Sequence, residues 1–345
     1  MKVDKNYCMN SFLQFRYVYD DYVFKDGLVP NYYHLNKKYT INNSSDLDKA
    51  LKEYIDNNFD EKTALMLSGG IDSAILASYI PKGSKAFTLK CIADEPTIDE
   101  TISAKKVAEH NGLDHEIIEI TWEDYEKYCD TLLNHKKAPF HSIEVQIYKA
   151  ALRAKELGYT KLLFGESADS VFGGLDGLLS KDWSFEEFID RFNYVDAKKV
   201  LNHPKTIITP YEKYKTPSGI DTHTYINQQF FQESFNSYMN ACSAGEIEFL
   251  APFTYMTMGS PLDLDRIRKG DSKYLVRELY KQKYPNFKMN PKTPMPRPMD
   301  LWLRNWGGPK RSEFKEDCIN DLVKDEKWLV YILEKFLNHF NIEED

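Results

Sequence analysis

The sequence predicts an α/β fold, a doubly wound parallel sheet followed by a helical C-terminal part, and three observations predict it. Between residues 46 and 180, short apolar runs alternate with amphipathic helical stretches. That pattern gives right-handed βαβ crossovers and a parallel sheet covered on both faces. Two glycine-rich segments, 68–73 and 165–174, each follow an apolar run directly. They therefore fall at the carboxyl ends of strands, where open α/β sheets take their ligands. Beyond Gly177 the pattern is helical and irregular, rich in Tyr and Phe, and it ends in a helix over 326–338.

The elements follow in order. Residues 1–45 are rich in aromatics and Asn, lack a sustained helical period, and read as strands and loops packed onto the main body. A helix begins at Ser45, with Asp46, Asp48 and Glu53 in its early turns and Leu47, Leu51, Tyr54 and Ile55 as its apolar stripe. Residues 63–67 read as a buried strand, followed by the first glycine-rich segment and an apolar helix through Ile80. Next come a strand over 85–91, a helix over 98–110, a strand over 116–120, helices over 123–133 and 142–157, and a strand over 161–164. Ile143, Ile147, Ala150, Ala151, Ala154 and Leu157 keep one face of the 142–157 helix apolar. The chain thus divides into an N-terminal segment 1–45, an α/β core 46–180 and a helical part 181–345.

The 345 residues are 42% hydrophobic and 28% charged, and no apolar run approaches the ~20 residues that span a bilayer. A soluble globular protein with no membrane partner is expected. The N-terminus has no continuous apolar stretch behind its lysines, which argues against a secretory signal and for the cytoplasm. Cys8, Cys91, Cys129, Cys242 and Cys318 are odd in number and widely spaced, so they read as reduced thiols, neither a disulfide framework nor a zinc site. A net charge of −8 argues against nucleic acid as a partner. One stretch differs: residues 266–311 hold 13 Lys and Arg against three acids. That excess suits either an anionic partner or a solvated helix face.

The segment Ser68-Gly69-Gly70-Ile71-Asp72-Ser73, between a strand and a helix, is built to hold an anion. The glycines let the backbone approach a phosphate, the N–H groups and serine hydroxyls donate, and the helix dipole adds to the attraction. Asp72 at its end suits Mg²⁺. No Walker A pattern is present. A turn that needs glycine only for steric reasons is the plainer reading.

Ser68–Ser73 resembles the PP-loop of ATP pyrophosphatases, which grip the β and γ phosphates and cleave between α and β. The run Phe164-Gly165-Glu166-Ser167-Ala168-Asp169-Ser170-Val171-Phe172-Gly173-Gly174 resembles the second signature of the asparagine synthetase family. Ser272-Lys273-Tyr274-Leu275-Val276-Arg277-Glu278 resembles that family's third signature, and Lys292 and Trp302-Leu303 fall where the family has a lysine and a Trp-Leu pair. The resemblance spans about 60–310 and implies an adenine nucleotide α-hydrolase-like sheet that binds ATP and Mg²⁺. It further implies that Asp72 and Asp169 share the metal and that Ser68, Gly69, Gly70 and Ser73 hold pyrophosphate. Backbone at Leu67, Leu89, Phe164 and Gly165 would hold adenosine, and Lys273 with Glu166 would act on the acyl adenylate. The implied enzyme is an ATP-dependent, AMP-forming carbon–nitrogen ligase acting on a small carboxylate with ammonia or an amine.

Departures from the family cluster away from the nucleotide. Position 2 is lysine where a glutaminase nucleophile would be cysteine, and only about 60 residues precede the loop. A separate glutaminase subunit, free ammonia or a substrate amine would then supply nitrogen, and the first 45 residues would be a remnant of an interdomain region. In the second signature the usual Gly, Ser and Glu are Ser167, Ala168 and Ser170. The segments Lys137–Ser142 and Pro252–Tyr255 also differ, which argues against aspartate as substrate. Arg268, Lys269, Arg277 and Lys292 suggest an acceptor with extra negative charge. His110 and His115 show no metal spacing, while His135 and His141 are candidate proton carriers or polar loop residues. Two other functions stay open: a PP-loop enzyme that modifies RNA, of thiolation or lysidine type, and a nucleotide-binding pseudoenzyme subunit.

Overall fold

The computed structural model describes residues 1–287 and 295–344. Five parallel strands form the central sheet: β1 (Thr63–Met66), β2 (Lys85–Cys91), β3 (Asp114–Ile120), β4 (Lys161–Leu163) and β5 (Glu248–Leu250). Their spatial order is β5-β4-β1-β2-β3. The chain leaves β1 toward β2 and β3, then crosses back to place β4 on the other side of β1, with Leu65 opposite both Ala86 and Leu163. The order reverses between β1 and β4, which opens a crevice at their carboxyl ends.

Successive strand residues serve opposite faces, as a pleated strand demands. Ala64 and Met66 of β1 enter one core and Leu65 and Leu67 the other. The principal helices are α1 (Lys5–Phe15), α2 (Ser44–Asn58), α3 (Ile71–Ala77), α4 (Thr101–Asn111), α5 (Trp122–Lys136), α6 (Ile143–Glu156), α7 (Ala168–Val171), α8 (Phe231–Ala244), α9 (Tyr274–Lys283) and α10 (Asp325–His339). Residues of α1, α5, α6, α8 and α10 build the core on one face; α2, α3, α4 and α9 build the other. The doubly wound α/β arrangement expected from the alternating pattern is present. A third, aromatic cluster around Phe188, Phe192, Tyr211 and Tyr225 packs the irregular region beyond residue 180.

Two of the differences from the sequence reading bear on the main body, and short strands at Lys215–Thr216, Gly219–Ile220 and Met256–Met258 also interrupt the region read as helical. Residues 5–15 form a helix where strands and loops were expected. Every residue from Cys8 to Phe15 is buried, so the segment has no wet face and therefore no apolar stripe with a 3.6-residue period. Asp4 caps it by accepting from the Tyr7 N–H at 2.8 Å, and Arg16 closes it in the left-handed conformation, φ 63°. The second difference is β5, which lies in the region read as helical. Three residues are too few to show a period, and the β4 edge recruits them by backbone pairing, Leu162 opposite Phe249.

The basic stretch 266–311 is not a bare cationic surface. Arg266 pairs with Asp271 and Glu278, Arg268 with Asp182, Lys283 with Asp48, Arg297 with Asp325 and Arg304 with Asp94 and Glu95. Arg311 pairs with Glu313. Acids from elsewhere in the chain thus absorb much of its charge. Arg277 bonds the Ser272 carbonyl, and Lys292 lies outside the described residues. No helix among the described residues is long and apolar enough to cross a membrane.

Candidate active site

Both glycine-rich segments open onto the crevice between β1 and β4. The chain leaves β1 through Leu67, whose N–H bonds the Phe87 carbonyl at 2.8 Å, and turns at Gly70 into α3. In the 68–73 loop, the Ser68 N–H donates to Ser73 Oγ at 3.0 Å, the two serine hydroxyls lie 2.9 Å apart, and the Gly70 N–H donates to Ser68 Oγ at 3.2 Å. The Gly69 N–H donates to Glu100 Oε2 at 3.0 Å. Glu100 was not singled out from the sequence. It lies on the connection after β2, and the strand-end rule covers that connection too, so the rule was the available signal.

The second loop leaves β4 through Phe164, whose N–H bonds the Leu250 carbonyl at 2.7 Å. A Cβ on Gly165 would sit 3.0 Å from the Ser73 nitrogen and 3.1 Å from Asp72 Cβ. Glycine there lets the two loops touch. Ser167 adopts φ 73°, a conformation glycine takes freely and serine holds at a cost of about 1 kcal/mol. That explains why the resembling signature has glycine at this position. Leu89 is buried in β2, beyond the end of β1. It stands opposite Ile118 of β3.

Lys273, 4% exposed, comes from the turn before α9, in the left-handed conformation with φ 52°. Its Nζ donates to Asp72 Oδ1 and Oδ2 at 2.8 and 2.6 Å and lies 3.0 Å from Asp169 Oδ1. Burial disfavours the ammonium, but the charges of Asp72 and Asp169 outweigh it and the pKa is raised. Three residues from three separate elements, each chosen from its own motif, therefore meet at one point. Gly174 walls this point: a Cβ on it would overlap Asp169 Oδ1 and stand 2.6 Å from Lys273 Cδ. Gly174→Ala is expected to push the ion pair apart and cost about 1–3 kcal/mol of stability. Thermal melts of wild type and variant check this, and unchanged melting would mean that the loop relaxes freely.

Glu166 reaches α8. It accepts from Ser234 Oγ of α8 at 2.6 Å and interacts with the Tyr238 hydroxyl one turn on. Desolvation raises its pKa despite these bonds. Ser234 and Tyr238 share a face of α8 by their spacing of four, yet nothing in the sequence says which strand that face meets.

Farther along this side lies a buried polar cluster. Arg16 contacts His141 at 2.9 Å, Glu233 at 2.8 Å and Tyr194 at 2.6 Å. Arg297 pairs with Asp325, which accepts from Ser142 Oγ. Burial and the neighbouring Arg16 lower the His141 pKa to about 4, so it is neutral at pH 7. His135 instead bonds Asn240.

The resemblance implied Mg²⁺ at Asp72 and Asp169. Their carboxylates converge on a single ammonium, a spot of cation size. Among the described residues no set of three His, Cys, Asp or Glu could hold a metal. Two hard oxygen donors, with phosphate and water completing the shell, are how Mg²⁺ is commonly bound. The residues fit.

The asparagine synthase family model matches residues 45–247. Asparagine synthetase B [glutamine-hydrolyzing] of Escherichia coli (strain K12) is 24% identical over 178 residues, 44% of this chain and 31% of that protein. The chain thus spans about a third of the length of that curated relative. Among solved structures, the NH3-dependent NAD synthetase from Campylobacter jejuni is 18% identical, covering 38% of this chain and 58% of that one with a TM-score of 0.25. The NMN synthetase from Francisella tularensis is 14% identical, covering 72% and 97% with a TM-score of 0.26. At such scores the likeness decides nothing about chemistry. The family match supplies both crevice loops and more than half of the residues, and the chain belongs to the asparagine synthase family.

Proposed function

We propose that this protein adenylates a carboxylate with ATP and passes the acyl group to ammonia or an amine, releasing AMP and pyrophosphate. The observation that carries this reading is the meeting of Asp72, Asp169 and Lys273 at 2.6–3.0 Å beside a loop of N–H and hydroxyl donors at the sheet's switch point. In this reading Ser68, Gly69, Gly70 and Ser73 hold the pyrophosphate, and backbone at Leu67, Leu89, Phe164 and Gly165 holds the adenosine. Asp72 and Asp169 would hold Mg²⁺, which, when bound, offsets phosphate charge.

The substrate carboxylate oxygen forms a bond to the α-phosphorus as the bond to the bridging oxygen breaks, and pyrophosphate takes that electron pair. Lys273 stabilises the charge that builds on the phosphate oxygens. The nitrogen lone pair then attacks the acyl carbon, and AMP leaves with the carbon–oxygen electron pair. In this reading Glu166, its pKa raised by burial, takes the proton that the nitrogen loses.

The buried cysteines weigh against the RNA-thiolation reading. Burial raises the pKa of all five, and a buried thiol in that state is a poor nucleophile. The same fact argues against glutamine hydrolysis by this chain, so its nitrogen should come from ammonium, a substrate amine or a glutaminase partner. The +10 stretch was the main support for an anionic acceptor; with Arg266, Arg268, Lys283, Arg297, Arg304 and Arg311 paired to acids, that support is weaker.

The test is ³¹P NMR of turnover over a panel of carboxylates, with ammonium and with glutamine. AMP and pyrophosphate are expected, with ammonium but not with glutamine alone, and ammonium-dependent rates should rise toward pH 9 as free ammonia increases. ADP and phosphate as products would overturn the reading.

A further inference from the structure

Every backbone donor of the 68–70 loop already has an acceptor within the protein. Ser73 Oγ takes the Ser68 N–H, Ser68 Oγ takes the Gly70 N–H, and Glu100 takes the Gly69 N–H. Two of these acceptors are hydroxyls, which rotate and can donate to an incoming phosphate. Glu100 is different. An ionised carboxylate only accepts, so it cannot share a site with another anion.

The contact is closely built. A Cβ on Gly69 would lie 3.2 Å from Glu100 Cβ and 3.1 Å from Ser103 Cβ, so a side chain there would press the 92–100 connection away. Asp99 and Thr101 brace that connection: Asp99 Oδ1 accepts from the Thr101 N–H and hydroxyl at 2.9 and 2.6 Å, and its other oxygen pairs with Lys90. Glu100 is half-buried, and burial raises its pKa against the opposing effect of the Gly69 bond. Its carboxylate thus sits where the loop is built to receive an anion, just as the Lys273 ammonium sits between the two carboxylates.

We propose that Glu100 is a resident counter-anion of the pyrophosphate loop, an affinity-determining residue that the phosphates must displace from the Gly69 N–H and that returns as pyrophosphate leaves. The proposal rests on the reading of 68–73 as the pyrophosphate site. Exchange of one charged acceptor for another costs the loop little, yet it sets the bound state against a competitor tethered beside it. Weaker phosphate binding and faster product release follow together.

The test uses the full chain, with magnesium pyrophosphate and Mg·ATP as probes in calorimetry, on wild type, Glu100→Gln and Glu100→Ala. Both variants are expected to bind pyrophosphate about tenfold more tightly, since a charge-assisted bond no longer competes. In turnover, pyrophosphate should inhibit the variants at correspondingly lower concentration, with kcat reduced where release limits the rate. A merely structural brace would move these quantities the other way. Unchanged or weaker binding in the isosteric Glu100→Gln, with wild-type circular dichroism, overturns the proposal while leaving the loop assignment intact. Failure of wild type to bind either probe overturns both.

Discussion

Lys273→Ala is expected to lower turnover by about two orders of magnitude or more while changing ATP binding only a few fold. The ammonium is nearly excluded from water and stays charged because Asp72 and Asp169 outweigh its burial. Two carboxylates and one ammonium leave the trio with a formal charge of −1. Where the carboxylates are shared with a divalent cation, the Lys273 ammonium can turn toward the phosphate oxygens without leaving the crevice. Its benefit then falls on the transition state, where charge concentrates, and little on ground-state binding. Lys273→Arg should be nearly as poor, because the Gly174 backbone stands against the lysine stem, with 2.6 Å between a Cβ there and Lys273 Cδ. A planar guanidinium cannot replace a compact ammonium in that space. Steady-state kinetics with separate ATP calorimetry check this. Near-normal turnover in either variant would make Lys273 a structural counter-ion only.

Asp72→Ala should abolish ATP–pyrophosphate exchange with little loss of fold. Asp72 lies in the first turn of α3, at the lip of the loop, and contributes no apolar packing to either core. It gives Lys273 two of its short contacts, at 2.6 and 2.8 Å, so its removal leaves the ammonium with Asp169 at 3.0 Å. In the proposed role the cation site would lose half its carboxylate set, and an oxygen-binding ion of Mg²⁺ type would lose most of its hold. Asp72→Asn keeps the volume and should fail equally. Circular dichroism controls for folding, and exchange at wild-type rates in either variant would remove Asp72 from the metal site.

The legible part of the site was local. Ser68–Ser73 and the 165–174 run stand out because a strand, a glycine turn and a helix are contiguous in sequence, and the structure brings both to one crevice. The partners of those loops were not legible. Glu100 reaches Gly69 across 31 positions, and Ser234 reaches Glu166 across 68. An isolated glutamate or serine carries no period and no motif. The N-terminal helix was missed for the opposite reason: Cys8 to Phe15 are buried on every side, and amphipathic reading depends on one side being wet.

What the sequence by itself determined was four of the five sheet strands, since the alternation of strand and helix fixes a parallel core and puts both glycine loops at its carboxyl end; the edge strand β5 came only with the fold. It also placed the 68–73 turn between a strand and a helix, the setting on which the proposed anion loop rests. What only the tertiary structure decided was the charge balance. Charge adds along a sequence but cancels in space: the excess of 266–311 meets acids from Asp48, Asp94, Glu95, Asp182 and Asp325. Lys273, one cation among thirteen in that stretch, is set apart because Asp72 and Asp169, 201 and 104 positions away, close on the same buried atom. Coulomb energy depends on distance and burial, and neither is written in the order of residues.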